Sequence, residues 1–143
     1  SASEDIGMAN PNALLLANTG FDAVKNVGYP EGRIILSQIA VYLATSPKSN
    51  ASYVAINKAQ ALVKETGDLG VPLSLRNAPT KLIKDLDYGK GYKYSHDFPN
   101  NFAHQEFLPK EITEHVFYDP GHNPAESKIR ERLKALWKDK YEY

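Results

Sequence analysis

Cysteine is absent from the 143-residue sequence, so disulfide scaffolds, thiolate zinc sites, iron–sulfur clusters and cysteine nucleophiles are excluded. An excess of charge is also absent: 17 Lys and Arg balance 17 Asp and Glu, without the basic surplus of a dedicated nucleic-acid binder. The apolar runs at 13–17 and 34–36 fall far short of the roughly 20 residues that cross a bilayer. We therefore expect one soluble domain that buries roughly 68–70% of its unfolded surface, with the cytoplasm as the favoured compartment.

Helical periodicity dominates the first half, where hydrophobic residues, 42% of the whole chain, recur every three or four positions. Asn10-Pro11 is a cap followed by a proline suited to the first helical position, which predicts a helix over 11–27. The next segment, between 34 and 43, is apolar on nearly every side. Such a helix is expected in the middle of a bundle.

A third helix is predicted over 47–66, because Ser46-Pro47 repeats the opening signal and Gly67 supplies a C-terminal glycine. The connections between the three helices are short, which favours antiparallel neighbours. We therefore expect an all-α protein with a three-helix core that buries about fifteen apolar side chains and is nearly able to stand alone.

Two further helices are predicted. Asn77-Ala78-Pro79 precedes a short amphipathic pattern that reaches Leu86, and Asn123-Pro124 opens a last helix that ends near Lys140. Between them, residues 88–122 lose the helical period and become aromatic and irregular. Alternation at 92–94 and a turn-like sequence at 98–102 predict a short strand pair or an ordered extended segment.

Recognisable catalytic and cofactor motifs are missing. No phosphate-loop sequence occurs, and Gly89-Lys90-Gly91 lacks the third glycine of a dinucleotide fingerprint. The four histidines all lie in the last third, and no two of them have the spacing that places metal ligands on one helix face. No Gly-x-Ser-x-Gly elbow supplies a nucleophile. We expect no catalytic, cofactor or metal site in these residues.

Six stretches of the sequence resemble a known family. They are ASEDIGMANP at 2–11, GYPEGR at 28–33, SPKSN at 46–50, VPL at 71–73, LRNAPTKL at 75–82 and GKGYKYSHD at 89–97. Several long matches in the same order are far more specific than any single motif. The chain resembles the C-terminal region of the MgsA/RarA family of AAA+ ATPases, whose eukaryotic relative is the Werner-helicase-interacting protein.

The resemblance implies a parent protein with an N-terminal ATPase module, related to clamp loaders, that uses ATP and Mg²⁺. It implies that residues 1–143 are a C-terminal domain that forms homotetramers, with 1–10 as the boundary segment that follows the missing module. It also implies work in DNA replication, recombination and repair at stalled forks in the bacterial cytoplasm, associated with the nucleoid. Fork DNA and single-strand-binding protein would be partners. None of the family's ATP-site residues falls within this sequence.

Two functions follow as expectations. The first is oligomerisation and partner binding, for which the aromatic segment supplies the residue types of an apolar interface. Its candidate subunit contacts are Tyr88, Tyr92, Tyr94, Phe98, Phe102 and Phe107. The alternative is direct DNA binding through residues 76–94, where basic and aromatic side chains alternate. Its candidate contacts, for DNA or for another partner, are Arg76, Lys81, Lys84, Lys90 and Lys93.

Overall fold

A computed structural model describes residues 1–77, 82 and 85–143. Over these residues the structure is helical and contains no strand, which confirms the all-α class. The predicted short helix near residues 77–86 falls largely outside the described residues. The described α-helices are α1 (Asn12–Val27), α2 (Gly32–Thr45), α3 (Ala51–Thr66) and α4 (Pro124–Trp137).

Local sequence signals set most of the helix ends. Gly28 has a φ of 73°, and its N–H bonds the carbonyl of Val24 at 2.9 Å, closing α1 with the left-handed backbone that glycine tolerates. At α4, the side-chain oxygen of Asn123 accepts the N–H of Glu126 at 3.0 Å. In return, the Asn123 amide donates to the Glu126 carboxylate at 2.6 Å. The predicted opening of the last helix is therefore confirmed, with Asn123 as its N-cap residue.

The start of α3 was predicted wrongly, because this helix begins at Ala51 and not at Pro47. The Ser46 hydroxyl donates to the Tyr42 carbonyl at 2.7 Å and so completes the end of α2. The Ser49 N–H donates to the Asp5 carbonyl at 2.8 Å. Ser46 thus closes α2, and Ser49 binds the N-terminal segment. The helical geometry of α3 therefore begins only after these residues.

The N-terminal segment lies at the centre of the fold. It forms one turn of π-helix, Ala2–Ile6, and a 3₁₀ turn, Gly7–Ala9. Ile6 is 1% exposed, and the segment packs against α1, α3 and α4. Just after it, the Asn10 amide donates to the Tyr42 hydroxyl at 2.9 Å and to the Ser46 hydroxyl at 3.1 Å. Residues expected only as a boundary thus connect the helices of the domain.

Helices α1 and α2 pack directly against each other through small residues of α1. A Cβ placed on Gly20 would overlap Cδ1 of Ile39, and Ala13 is completely buried. The close approach therefore depends on residues with little or no side chain. Val24 of α1 also lies in this contact, because a Cβ placed on Gly32 of α2 would be 3.3 Å from its Cγ1. Leu14, Leu15 and Phe21 of α1 stay exposed.

The expected burial of about fifteen apolar side chains is wrong. Among the described residues, the buried hydrophobic core consists of Ile6, Ala9, Ala13 and Ala103. The chain keeps 10322 Å² of accessible surface, whereas a compact monomer of 15.9 kDa is expected to keep about 7,400 Å². Folding of one copy therefore removes about 55% of the unfolded surface instead of 68–70%.

The aromatic segment is ordered without a strand in its described residues, so of the two predicted forms it takes the extended one. It contains 3₁₀ turns at Ser95–Asp97, Pro99–Asn101 and Lys110–Ile112. The Gln105 side chain takes the place of a neighbouring strand, because its Oε1 accepts the Lys93 N–H at 3.1 Å and its Nε2 donates to the Lys93 carbonyl at 2.9 Å. One amide side chain thus satisfies both backbone groups that a strand pair would satisfy.

Candidate interaction surfaces

Exposed apolar side chains of α1 and α2 lie outside the contact between these two helices, and we call this set the hairpin surface. Its members are Leu14, Leu15, Phe21, Ile34, Leu36 and Val41. Phe21 is 71% exposed and Ile34 is 63% exposed. Single exposed apolar residues are ordinary on monomers, but a concentration on two adjacent helices is typical of an interaction site.

The spacing along each helix explains why these side chains remain exposed. Leu14 and Phe21 are seven residues apart, as are Ile34 and Val41, so each pair lies along one edge of its helix. On α1 that edge differs from the face of Ala13 and Gly20, which packs inward. Each helix therefore has one face for the fold and an apolar edge that the fold does not cover.

Helix α3 repeats this pattern. Tyr53, Ile56 and Val63 are exposed, and with Gln60 they follow the three-then-four spacing of a helix-packing stripe. On its other side, α3 packs against the N-terminal segment. A single copy of the chain thus carries uncovered apolar stripes on three helices.

The aromatic residues predicted as subunit contacts are only partly free. Phe102 packs edge-to-face on Trp137, with ring centroids 4.9 Å apart, and Phe107 lies 6.3 Å from the same ring. The ring of Tyr88 lies beneath the Arg76 guanidinium. Tyr92, Tyr94, Phe98 and Phe107 keep at least a third of their surface. The segment therefore combines packing on α4 with exposed rings.

The basic residues predicted as DNA contacts have separate partners within the chain. Arg76 donates to the Val71 carbonyl at 2.6 Å and to the Tyr88 hydroxyl at 3.0 Å. Lys90 pairs with Asp87 at 2.9 Å, in an exposed bridge that stabilises little. Lys93 donates to a backbone carbonyl. The other two candidates, Lys81 and Lys84, lie outside the described residues.

A buried carboxylate joins α4 to the preceding loop. Glu126 is fully buried, and its side chain accepts hydrogen bonds from Tyr118 at 2.9 Å and from Asn123. Burial alone would raise the pKa of Glu126, but hydrogen bonds from Ser49, Asn123 and Tyr118 outweigh it and hold this pKa below its usual range. Burial, together with the hydrogen bond to Glu126, raises the pKa of Tyr118. Because its acceptors are satisfied within the protein, this cluster is structural.

Neither a metal-binding cluster nor a membrane-spanning helix is found among the residues that the structure describes. They include no group of three or more His, Asp or Glu side chains placed to hold a metal ion. None of the helices described is both long and apolar enough to cross a bilayer.

A family model for the C-terminal part of MgsA AAA+ ATPases matches residues 1–137. The chain belongs to the MgsA C-terminal family. This confirms the resemblance drawn from the six sequence stretches. The MgsA C-terminal match covers the N-terminal segment as well as all four described α-helices.

Individual relatives agree with the family assignment. The chain is 48% identical over 133 residues to the replication-associated recombination protein A of Coxiella burnetii, covering 92% of this chain and 30% of the relative. It is 45% identical over 136 residues to the protein of the same name from Escherichia coli K12, a match that covers 94% of this chain and 30% of that relative. It is also similar to the ATPase WRNIP1 of Dictyostelium discoideum, at 42% over 120 residues, with 82% and 14% covered. The MgsA C-terminal chain thus spans less than a third of these relatives.

Reasoning from sequence missed the hairpin surface, although one signal was present. Residues 34–43 are apolar on nearly every side, which fits a helix covered from several directions. We expected other elements of the same copy to cover all of those sides of the helix. In the MgsA C-terminal structure, Ile34 and Val41 instead face outward and stay uncovered within one copy.

Proposed function

We propose that this domain assembles copies of its own chain, as a homotetramer, within an AAA+ ATPase of DNA replication and recombination. The observation that carries the proposal is the extra surface of one copy, about 3,000 Å² beyond that of a compact monomer of the same mass. Apolar side chains of α1, α2 and α3 contribute to it. A second copy of the chain is the occupant that would cover them.

The size of this surface supports self-assembly through more than one contact. Permanent interfaces bury roughly 2,000–5,000 Å² in total, which is about 1,000–2,500 Å² from each partner. A subunit of a closed tetramer contacts at least two others. The extra surface of one copy is therefore enough for two interfaces, and the hairpin surface and the α3 stripe offer two separate places for them.

The wider role of the parent protein follows from its relatives. Two are named replication-associated recombination protein A and one is named an ATPase. We assign ATP and Mg²⁺ binding to the remainder of such a parent and no reaction to the residues of this chain. For this role we expect fork DNA and single-strand-binding protein as partners. We expect the parent protein in the bacterial cytoplasm, associated with the nucleoid.

Sedimentation velocity of the 143-residue chain tests the proposal directly. We expect a species larger than a monomer at micromolar concentration, with a mass that falls on dilution if assembly is reversible. Circular dichroism on the same samples reports whether the chain is folded. A helical, sharply sedimenting monomer at tens of micromolar would show that self-assembly is not a property of this domain.

A further inference from the structure

A cleft between the aromatic segment and the end of α4 combines apolar walls with positive charge. Its volume is about 370 Å³. The lining residues that matter are Lys93, Phe98, Phe102, His104, Leu136 and Lys138. This cleft is distinct from the hairpin surface and from the α3 stripe, the two places proposed above for subunit contacts.

The apolar walls are held in place before any ligand arrives. The ring of Phe102 packs edge-to-face on Trp137 at 4.9 Å and on His104 at 5.2 Å, which fixes its orientation. Phe98 keeps 38% of its surface, and Leu136 forms the facing wall from α4. A cleft built in advance loses little entropy when it is filled.

The charge of the cleft has one sign. Lys93 comes from one wall, where its ammonium donates to the His104 carbonyl at 2.8 Å. Lys138 comes from the other wall. Among the described residues, no acidic side chain lines the cleft, although the chain as a whole is neutral. Glu106, on the same segment, is already paired with Lys140 at 2.7 Å.

Backbone geometry also sets this cleft apart. Asn100 and Lys138, which line it, have φ values of 59° and 51°. A left-handed backbone is unfavourable for residues other than glycine, and such residues concentrate at binding sites. Here they form the corners where the chain turns around the cleft.

From this combination we infer that the cleft binds an acidic peptide segment of a partner protein, with one apolar side chain inserted between Phe98 and Leu136. Cations stand on both walls, so the segment carries carboxylates on both sides of its apolar residue. A nucleic acid would match the charge but not the shape. Single strands bind along rows of open aromatic faces, whereas the Phe102 ring is already engaged by two neighbours.

Fluorescence anisotropy with the full 143-residue chain provides the test. The probe is a labelled Gly-Asp-Glu-Leu-Phe-Glu-Asp-Gly peptide, compared with a version in which lysines replace the acidic residues and with a labelled single-stranded oligonucleotide. We expect saturable binding of the acidic peptide only. Reversing the charge at either wall, with Lys93→Glu or Lys138→Glu, should weaken binding about tenfold or more, because attraction becomes repulsion at short range.

The matched control is Lys128→Glu, which makes the same charge change at an exposed position of α4 outside the cleft. It should leave the affinity unchanged, and circular dichroism should show the same helix content in all variants. Binding that is absent, or equally weakened by the control, would overturn the inference. Oligonucleotide binding that is lost in the two wall variants would instead assign the cleft to nucleic acid.

Discussion

Replacing Phe21 with alanine should dissociate the assembly and leave each copy folded. Phe21 is 71% exposed on α1, at the edge of the helix that does not pack inward. Within one copy, the substitution removes few contacts, and alanine is the better helix former by a few tenths of a kcal/mol. We therefore expect the variant to sediment with a lower mass than the wild-type assembly and to keep the same helix content.

The magnitude follows from the area that Phe21 leaves uncovered. A phenylalanine that buries about 200 Å² when fully covered would bury about 140 Å² more on assembly, a gain of about 3.5 kcal/mol at 25 cal/mol per Å². In a two-fold symmetric interface the residue occurs twice, which doubles this to about 7 kcal/mol. The dissociation constant should therefore rise about 10⁵-fold.

Sedimentation velocity of wild type and variant over three decades of concentration measures this change. Tyr94→Ala is the matched control, because Tyr94 is also an exposed ring, at 56%, but belongs to the aromatic segment. If Phe21→Ala sediments like wild type while Tyr94→Ala dissociates, the reasoning from the hairpin surface is refuted. The aromatic residues predicted from sequence would then be the interface.

Three further predictions concern the fold and the basic segment. Glu126→Gln should lower the free energy of unfolding by about 1–3 kcal/mol near neutral pH, and this difference should shrink as pH falls through the lowered pKa of Glu126, as urea unfolding at several pH values would show. Gly20→Ala should destabilise the α1–α2 contact by about 1–3 kcal/mol, and adding Ile39→Val, which removes the overlapping methyl, should recover part of that loss in thermal unfolding. If residues 76–94 bind single-stranded DNA through five phosphates, titrations at two salt concentrations should give a log–log slope of about −3.5, and charge reversal at Lys81 and Lys84 should weaken binding.

Helix positions could be predicted from the sequence where the signal was local. Asn123 and Gly28 act at helix ends through bonds to residues three or four positions away, so the sequence window that contains them also contains their partners. The start of α3 failed for the opposite reason. The Ser49 N–H is held by Asp5, far away in the chain, and no local pattern reports such a contact.

Burial could not be predicted from the same periodicity. A stripe of apolar residues shows that a helix has an apolar face, but it does not show whether the cover comes from the same copy. On α1, the contact inside one copy uses Ala13 and Gly20, while the larger Leu14 and Phe21 stay outside. Small residues at the closer contact were the useful signal, because two helices approach closely only where side chains are short.

Neutral charge and uncovered apolar area together favour assembly over a free monomer. Zero net charge removes the long-range repulsion that keeps identical copies apart. An isolated copy carries about 3,000 Å² more accessible surface than a compact monomer of the same mass, and exposed apolar side chains of α1, α2 and α3 contribute to it. On the proposed function, we expect a copy with this surface and little charge repulsion to associate. A closed symmetric assembly is the form of association that covers the stripes without continuing into a fibre or an aggregate.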